Sequence, residues 1–313
     1  MEPLLHRIQN TWMATRQEFH FPLKHEGRIN SLHHRWENCI NTILKVTEAS
    51  PSSTECIAQW FDKLIALHSD AERHYHTLCH LEEMFGFVDL LLSEYETNFG
   101  MSDAITSAPN TINFDAYKAI IELSVFFHDA IYNPKSGTNE EDSAKLFLQF
   151  VEDLFGDNND VVASDSLSKL TKGWSGFNTV KTFIIATKSH SLDDTNIKHE
   201  EIPFLQIFLD ADMAVLGKTP QAYEYYASLI RKEYVHVPLD VYCDKRAEIL
   251  QSFIGSVGEN SKTIYLNEHM REALEDRAIT NLKREIAILQ KGQIPGSHDN
   301  NVSKPEVTNN SKT

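Results

Sequence analysis

The stretch FDAYKAIIELSVFFHDAIY, residues 114–132, decides the class of this fold. Its apolar residues recur on nearly every side of a 3.6-residue period, so it reads as a helix buried on most faces. It runs out through the doublet His128-Asp129 into NPKSGTN at 133–139, where Pro134 and Gly137 stop any helix. A helix buried on most faces needs amphipathic partners, and the chain supplies them on both sides. Upstream, CIAQWFDKLIALH (56–68) puts Ile57, Trp60, Phe61, Leu64, Ile65 and Leu67 on one side, with Ser53 or Thr54 as its N-cap. A long helix is expected from near Ala71 through RHYHTLCHLEEMFGFVDLLLSEYE (73–96).

Downstream, EEDSAKLFLQFVEDLF (140–155) carries the stripe Ala144, Phe147, Leu148, Val151, Phe155. Helical spacing continues in VKTFIIATKSH (180–190), QAYEYYASLIRKEY (221–234) and a segment near 240–255. The segment FLQIFLDADMAVLG (204–217) has too few β-branched residues and alternations for a strand. The last helix, EHMREALEDRAITNLKREIAILQK (268–291), lines up Met270, Leu274, Ala278, Leu282, Ile286 and Leu289. There is no internal repeat and no credible strand pair, so the predicted class is all-α.

Three regions are expected. Residues 1–50 form an N-terminal helical extension, His-rich at His20, His25, His33 and His34, and read as a solvated accessory helix that ends at ASPSST (49–54). Residues 51–291 form a single helical domain with loops at 101–113 and 156–175. Residues 292–313, rich in Asn, Ser, Lys, Pro and Gly, form a disordered tail.

The 313 residues carry a net charge of −16, a field that repels nucleic-acid polymers and anionic membranes. No apolar run approaches the ~20 residues of a membrane span, and the N-terminus lacks the apolar core of a signal peptide. The protein is therefore expected to be soluble and cytoplasmic. Its four cysteines form no CxxC pair, which predicts free thiols and no zinc knuckle. An anionic small-molecule substrate would need a local counter-charge, most simply a metal ion. Fifteen histidines make that ion worth seeking.

Three segments supply candidate ligands. His76 and His80, four apart on the expected helix, share a face. His128 and Asp129 close the buried helix. Asp210 and Asp212 sit among Phe, Leu, Met and Val, where a carboxylate is costly without a cation. Singly, each pattern also fits ordinary half-buried residues; the ordered set is more specific. Arg73 reads either as a phosphate contact or as an ion pair with Asp70 or Glu72. Glu140 and Glu141 read as helix-cap charges or as carboxylates that orient a ligand. His190 reads as a second-metal ligand or as a helix-end residue. Arg231, Glu233 and Tyr234 suggest a substrate wall or a buried ion pair, and Tyr223, Tyr225 and Tyr226 suggest packing.

The order H…HD…D resembles the HD-domain metal-dependent phosphohydrolases. The closest likeness is to an uncharacterised branch of them, carried by RHYHTLCHLEEMF (73–85), FFHDAIYNPKSGTNEEDSA (126–144), IIATKSH (184–190), LDADMAVLG (209–217) and IRKEY (230–234), over roughly residues 55–290. The resemblance implies an HD-type helical bundle with metal ligands His80, His128, Asp129 and Asp212. The last is preferred over Asp210 because the family ligand follows an alanine, and Asp210, about 200° away around a helix, then caps or supports. More distantly, Tyr75-His76-x-x-x-His80 is similar to class I cyclic-nucleotide phosphodiesterases, which implies His76 as general acid beside Asp129. Thr77 replaces the asparagine of that family and no glutamine purine clamp is present, so cyclic-nucleotide specificity does not carry over.

The implied cofactor is one or two divalent ions of Mn, Fe, Co or Mg per chain. The implied activity is hydrolysis of a small phosphate ester, a nucleotide or related metabolite, by metal-activated water, with Arg73 and Arg231 as substrate contacts. Hydrolysis at a monoester, a diester or a diphosphate bond is equally compatible, and nothing fixes the oligomeric state. The alternatives are a catalytically silent HD scaffold that binds a nucleotide or a protein, and a di-iron oxygenase, which would need more histidines than His190 alone.

Overall fold

The computed structural model describes residues 7, 25–98, 113–156, 174–193, 195–255 and 263–296. Most of the expected loops at 101–113 and 156–175 and of the tail at 292–313 lie outside the described residues. Within them there are ten α-helices and no strand. These are α1 (His25–Thr47), α2 (Thr54–His68), α3 (Leu78–Asn98), α4 (Phe114–Phe127), α5 (Asn139–Phe155), α6 (Gly176–Ala186), α7 (Ile202–Met213), α8 (Pro220–Glu233), α9 (Leu239–Ile254) and α10 (Glu268–Leu289). Short 3₁₀ turns at His199–Glu201 and Ala214–Gly217 flank α7. No helix among the described residues is long and apolar enough to cross a membrane.

Helix α4 is the axis of the bundle. Every residue from Ala119 to Phe127 is buried, and α1, α3, α5, α6 and α7 all pack against it. Its two polar intruders are satisfied: Ser124 Oγ donates to the Ile120 carbonyl at 2.8 Å, and Glu122 accepts from Arg35 of α1 at 2.6 Å. Phe126 and Phe127 join Trp36, Trp60, Phe147 and Phe150 in one aromatic cluster. Each such side chain removed from water contributes about 1.5–3 kcal/mol.

Two expectations are corrected here. Of the expected extension at 1–50, most of residues 1–24, with His20, lie outside the described residues, and the described helix α1 is not a solvated accessory: its Leu32, Trp36, Cys39, Ile40 and Ile43 are buried, and Trp36 Nε1 donates to the Ile57 carbonyl at 3.1 Å. These residues repeat at three- and four-residue intervals, a stripe masked in sequence by the histidines and charges between them. Helix α3 begins at Leu78, not near Ala71. Residues 71–77 form turns instead, and the amides of His74, Tyr75 and His76 within them are claimed from outside the helix, as described below. The predicted stop at 49–54 does occur, and Ser53 caps α2 by accepting from the Cys56 amide at 3.0 Å.

The C-terminal layer consists of α9 and α10, with α10 also resting on the Ala214–Gly217 turn. Its predicted stripe from Met270 to Leu289 is buried throughout. Asn281 Nδ2 donates to the carbonyls of Leu216 and Lys218, both at 2.8 Å, and so ties α10 to the turn that follows α7.

Candidate metal centre

Three elements converge at the C-terminal end of α4. His80 stands in the first turn of α3, His128 is the C-cap of α4, and Asp212 lies in the last turn of α7. One ligand atom from each lies within 4.8 Å of the others. His80 Nε2 is 3.1 Å from Asp212 Oδ1, and His128 Nε2 is 3.9 Å from the same oxygen. Asp129 joins them with Oδ2 3.1 Å from His128 Nε2. The two imidazoles form a buried floor, 2% and 1% exposed, whereas the side chains of Asp129 and Asp212 retain 18% and 15% at the rim.

The chemistry of this set fits a divalent cation. His128 Nδ1 lies 3.0 Å from the Val125 carbonyl, an acceptor, so that nitrogen holds the proton and Nε2 is left to face the cluster. The Nε2 atoms of His80 and His128 are both buried and face only the carboxylate oxygens of Asp212 and Asp129, at 3.1 Å and outside good hydrogen-bond geometry, an arrangement that suits ligands turned to a common ion. With protons alone, the cluster neutralises itself. Burial pulls His128 down, but the Asp129 carboxylate, with Asp212 and the Val125 carbonyl, pushes it up to about 9. Burial likewise opposes ionisation of Asp129 and Asp212, yet their histidine neighbours hold both well below the ordinary carboxylate range. A divalent ion would supply the same positive charge in place of these protons.

Two further histidines edge the cluster. His190 Nε2 is 2.8 Å from Asp212 Oδ2, which leaves Oδ1 to face His80 and His128. Its backbone is left-handed at φ 47, and its amide closes α6 on the Ala186 carbonyl at 2.9 Å. That conformation costs a non-glycine residue about 1 kcal/mol. His76 stands in the turn before α3 with Nε2 3.9 Å from Asp129 Oδ2. Burial opposes its charged form, and the carboxylates of Asp129 and Glu233 raise its pKa against that.

Glu233, at the end of α8, is the residue the sequence reading undervalued. Its Oε1 accepts the backbone N–H of His74, Tyr75 and His76 at 2.7, 2.7 and 3.1 Å, and its Oε2 meets His76 Nδ1 at 2.7 Å and Tyr132 Oη at 3.0 Å. Those amide bonds hold residues 74–76 outside α3. Burial raises this carboxyl, but its bond and charge interaction with His76 and the amides hold it down at about 2. The available signal was an acid at the end of a helix that also carries buried Tyr223 and Ile230; spacing alone does not aim it at His76.

Other expected site residues lie elsewhere. Arg73 is no free phosphate contact: its guanidinium donates to the carbonyls of His76, Asp129 and Ala130 at 3.1, 2.7 and 2.9 Å, and so fastens the His76 turn to the His128-Asp129 segment. Nor does it pair with Asp70 or Glu72 by its side chain; only its amide reaches the Asp70 carbonyl. Arg231 turns away to the carbonyls of Tyr234 and Val237 at 2.6 and 3.0 Å and lies over the Tyr242 ring, and it makes no ion pair with Glu233. Asp210 faces the opposite side of α7, where it accepts the amides of Leu266 and Asn267 at 2.8 and 2.6 Å. Glu140 and Glu141 open α5, and Glu141 pairs with Lys188 rather than with a cluster histidine. No family model matches the chain, and comparisons with curated proteins and with solved structures find no similar protein.

Proposed function

We propose that the chain is a metal-dependent phosphohydrolase with an HD-type helical bundle, acting in the cytoplasm on a small phosphate ester such as a nucleotide or related metabolite. The observation that carries this reading is the convergence of His80, His128 and Asp212 within 4.8 Å of one another, from three separate helices, with Asp129 alongside. Two neutral imidazole nitrogens and two carboxylates form a mixed N/O donor set suited to Mn, Fe, Co or Mg. When bound, such an ion would polarise a phosphoryl oxygen, offset the charge of an anionic substrate and favour deprotonation of water.

The chain's own groups would do the rest. His80, His128, Asp129 and Asp212 hold the cation, and His190 orients Asp212 through its outer oxygen. The buried floor keeps bulk water from one side of the site, which strengthens every charge interaction there. His76 Nε2, at the rim beside Asp129, is placed to donate a proton to the leaving oxygen, a contribution of about 10²- to 10⁴-fold in rate. Arg73 and Glu233 act on protein groups and not on phosphate.

The test is elemental analysis of purified wild type beside Asp212→Asn and Asp129→Asn, followed by assay on phosphate esters with Mn²⁺ added. The expected result is about one or two metal equivalents per chain in wild type, loss of most of it in Asp212→Asn, and turnover absent in both variants with helical circular dichroism retained. A wild type that takes up no Mn²⁺ or Co²⁺ would overturn the reading and favour a silent scaffold.

A further inference from the structure

Of the three arginines around the centre, Arg73 and Arg231 are taken up by backbone carbonyls. Arg246, in α9, is held differently. Its Nε donates to Glu285 Oε1 of α10 at 3.0 Å, and its Nη2 lies 3.4 Å from the Tyr226 hydroxyl of α8. Glu285 is fixed in turn by the Tyr223 hydroxyl and is 1% exposed. Nη1 of Arg246 has no acceptor among the described residues, although the side chain is only 12% exposed. A guanidinium carries five N–H donors in a rigid plane. A carboxylate that takes the Nε proton therefore aims the group and leaves its outer Nη1–Nη2 fork to grip an anion through two bonds.

Two separate contacts place that fork beside the ligand cluster. The Tyr226 ring packs 4.7 Å from the Tyr75 ring, which packs 4.9 Å from His80, so Tyr226 stands at most about 10 Å from a ligand imidazole. Further along α9, the Phe253 ring lies 6.3 Å from that of His190, the partner of Asp212. Arg246 and Phe253 are seven residues apart, two helical turns, so they project from one face of α9 about 10 Å apart. That face runs along the rim of the centre, with Phe253 at the Asp212 end and Arg246 toward the His80 end. The Tyr226 hydroxyl accepts from Arg246 and keeps its own proton to donate.

We infer that Arg246 and Tyr226 form an anion subsite beside the metal centre, and that the substrate is a phosphate ester bearing a second anionic group, phosphate or carboxylate, which docks on this fork. The inference rests on the metal-dependent reading given above. A chain of net charge −16 repels such a substrate unless each anionic group meets its own cation. The metal serves the reacting phosphate and Arg246 the other group, while Glu285 positions the guanidinium without touching the ligand.

The test is calorimetric binding of unreactive phosphonates to the full-length protein, loaded with Mn²⁺ and freed of excess metal. Alkane α,ω-bisphosphonates with one to six methylenes are compared with alkylphosphonates of the same length and with ω-phosphonocarboxylates. The monophosphonate meets the metal centre alone, so the ratio of Kd values isolates the second anion. In wild type, at least one compound with two anionic groups should bind about tenfold or more tighter than its monophosphonate, as expected for a charge-assisted contact. Whether the bisphosphonate or the phosphonocarboxylate gains this identifies the group. Arg246→Gln alone would strand the buried Glu285 carboxylate, so the variant is Arg246→Gln together with Glu285→Gln, whose amides can still pair. There the ratio should fall below about threefold, with Mn²⁺ content unchanged. A ratio near one in wild type at every length would overturn the subsite while leaving the metal reading intact. So would an equal ratio in the double variant, because chelation of the metal by both groups would survive there. If Mn²⁺-loaded wild type binds no monophosphonate, the metal-dependent reading fails and the subsite falls with it. Should the double variant lose its helical circular dichroism, Tyr226→Phe replaces it. A several-fold drop in its ratio supports the subsite, and an unchanged ratio overturns it.

Discussion

His68 shows what the site demands of a residue that never touches it. The ring is 1% exposed at the end of α2, with Nε2 3.3 Å from the Phe126 carbonyl and Nδ1 3.3 Å from the Arg73 guanidinium. Burial, and then the positive charges of Arg73 and His128, pull its pKa from the usual 6.5 to about 3. The native state therefore holds His68 neutral while the unfolded chain protonates it. Its stabilising effect is complete above pH 6.5 and is lost progressively as pH falls toward 3. His128, raised to about 9, works in a separate window: its contribution is complete below 6.5 and fades as pH rises toward 9. Between pH 6.5 and 5, then, the metal-free protein should lose about 2 kcal/mol of unfolding free energy through His68. Urea titrations with chelator present at the two pH values measure this, and His68→Gln should flatten the difference. An equal slope in the variant would place the proton uptake elsewhere.

The elements were legible to the degree that their residues are periodic. The stripe of α10 and the all-round apolar run of α4 were readable because burial alone dictates those residue types. The start of α3 was not, because the competitor for its amides is a carboxylate about 160 positions away in sequence. In the same way His80 and His128 could be picked out as candidates by residue type and order, since few other residues bind a cation, whereas the choice of Asp212 over Asp210 rested on a family likeness. Arg73 and Arg231 could not be placed, because an arginine that clamps carbonyls and one that binds phosphate look alike in a sequence. Gly217 is another long-range case. It ends the 3₁₀ turn after α7, and a Cβ there would come 2.8 Å from Leu274 Cβ and 2.9 Å from the Tyr265 hydroxyl oxygen. The turn and α10 can approach this closely only without a side chain. Gly217→Ala should cost about 1–3 kcal/mol of unfolding free energy, read as a lower urea midpoint at unchanged m. The Tyr265 hydroxyl can shift, but Leu274 Cβ moves only with the α10 backbone. An unchanged midpoint would mean that α10 slides freely over the turn, contrary to the two carbonyls held by Asn281.

At the scale of the whole molecule, the candidate ligands join helices that chain order keeps far apart. His80 belongs to α3, His128 to the end of α4 and Asp212 to α7, so an ion held by all three bridges three helices at the C-terminal end of α4 and has no counterpart in the unfolded chain. Binding to the folded state alone must raise stability, by about 2.7 kcal/mol at a free concentration a hundred times Kd. For a chain of this size that predicts a Tm several degrees higher in saturating Mn²⁺ than in chelator, with the unfolding still a single transition. The net charge of −16 complicates the reading, because scattered surface carboxylates also attract divalent ions. Asp212→Asn resolves it: the variant leaves the surface charge almost unchanged but removes the carboxylate shared by His80, His128 and His190. It should lose most of the Mn²⁺-induced shift, whereas Asp142→Asn, on the exposed first turn of α5, should keep it. Equal shifts in all three proteins would mean that the ion acts through the surface field and not through a bridge at the end of α4.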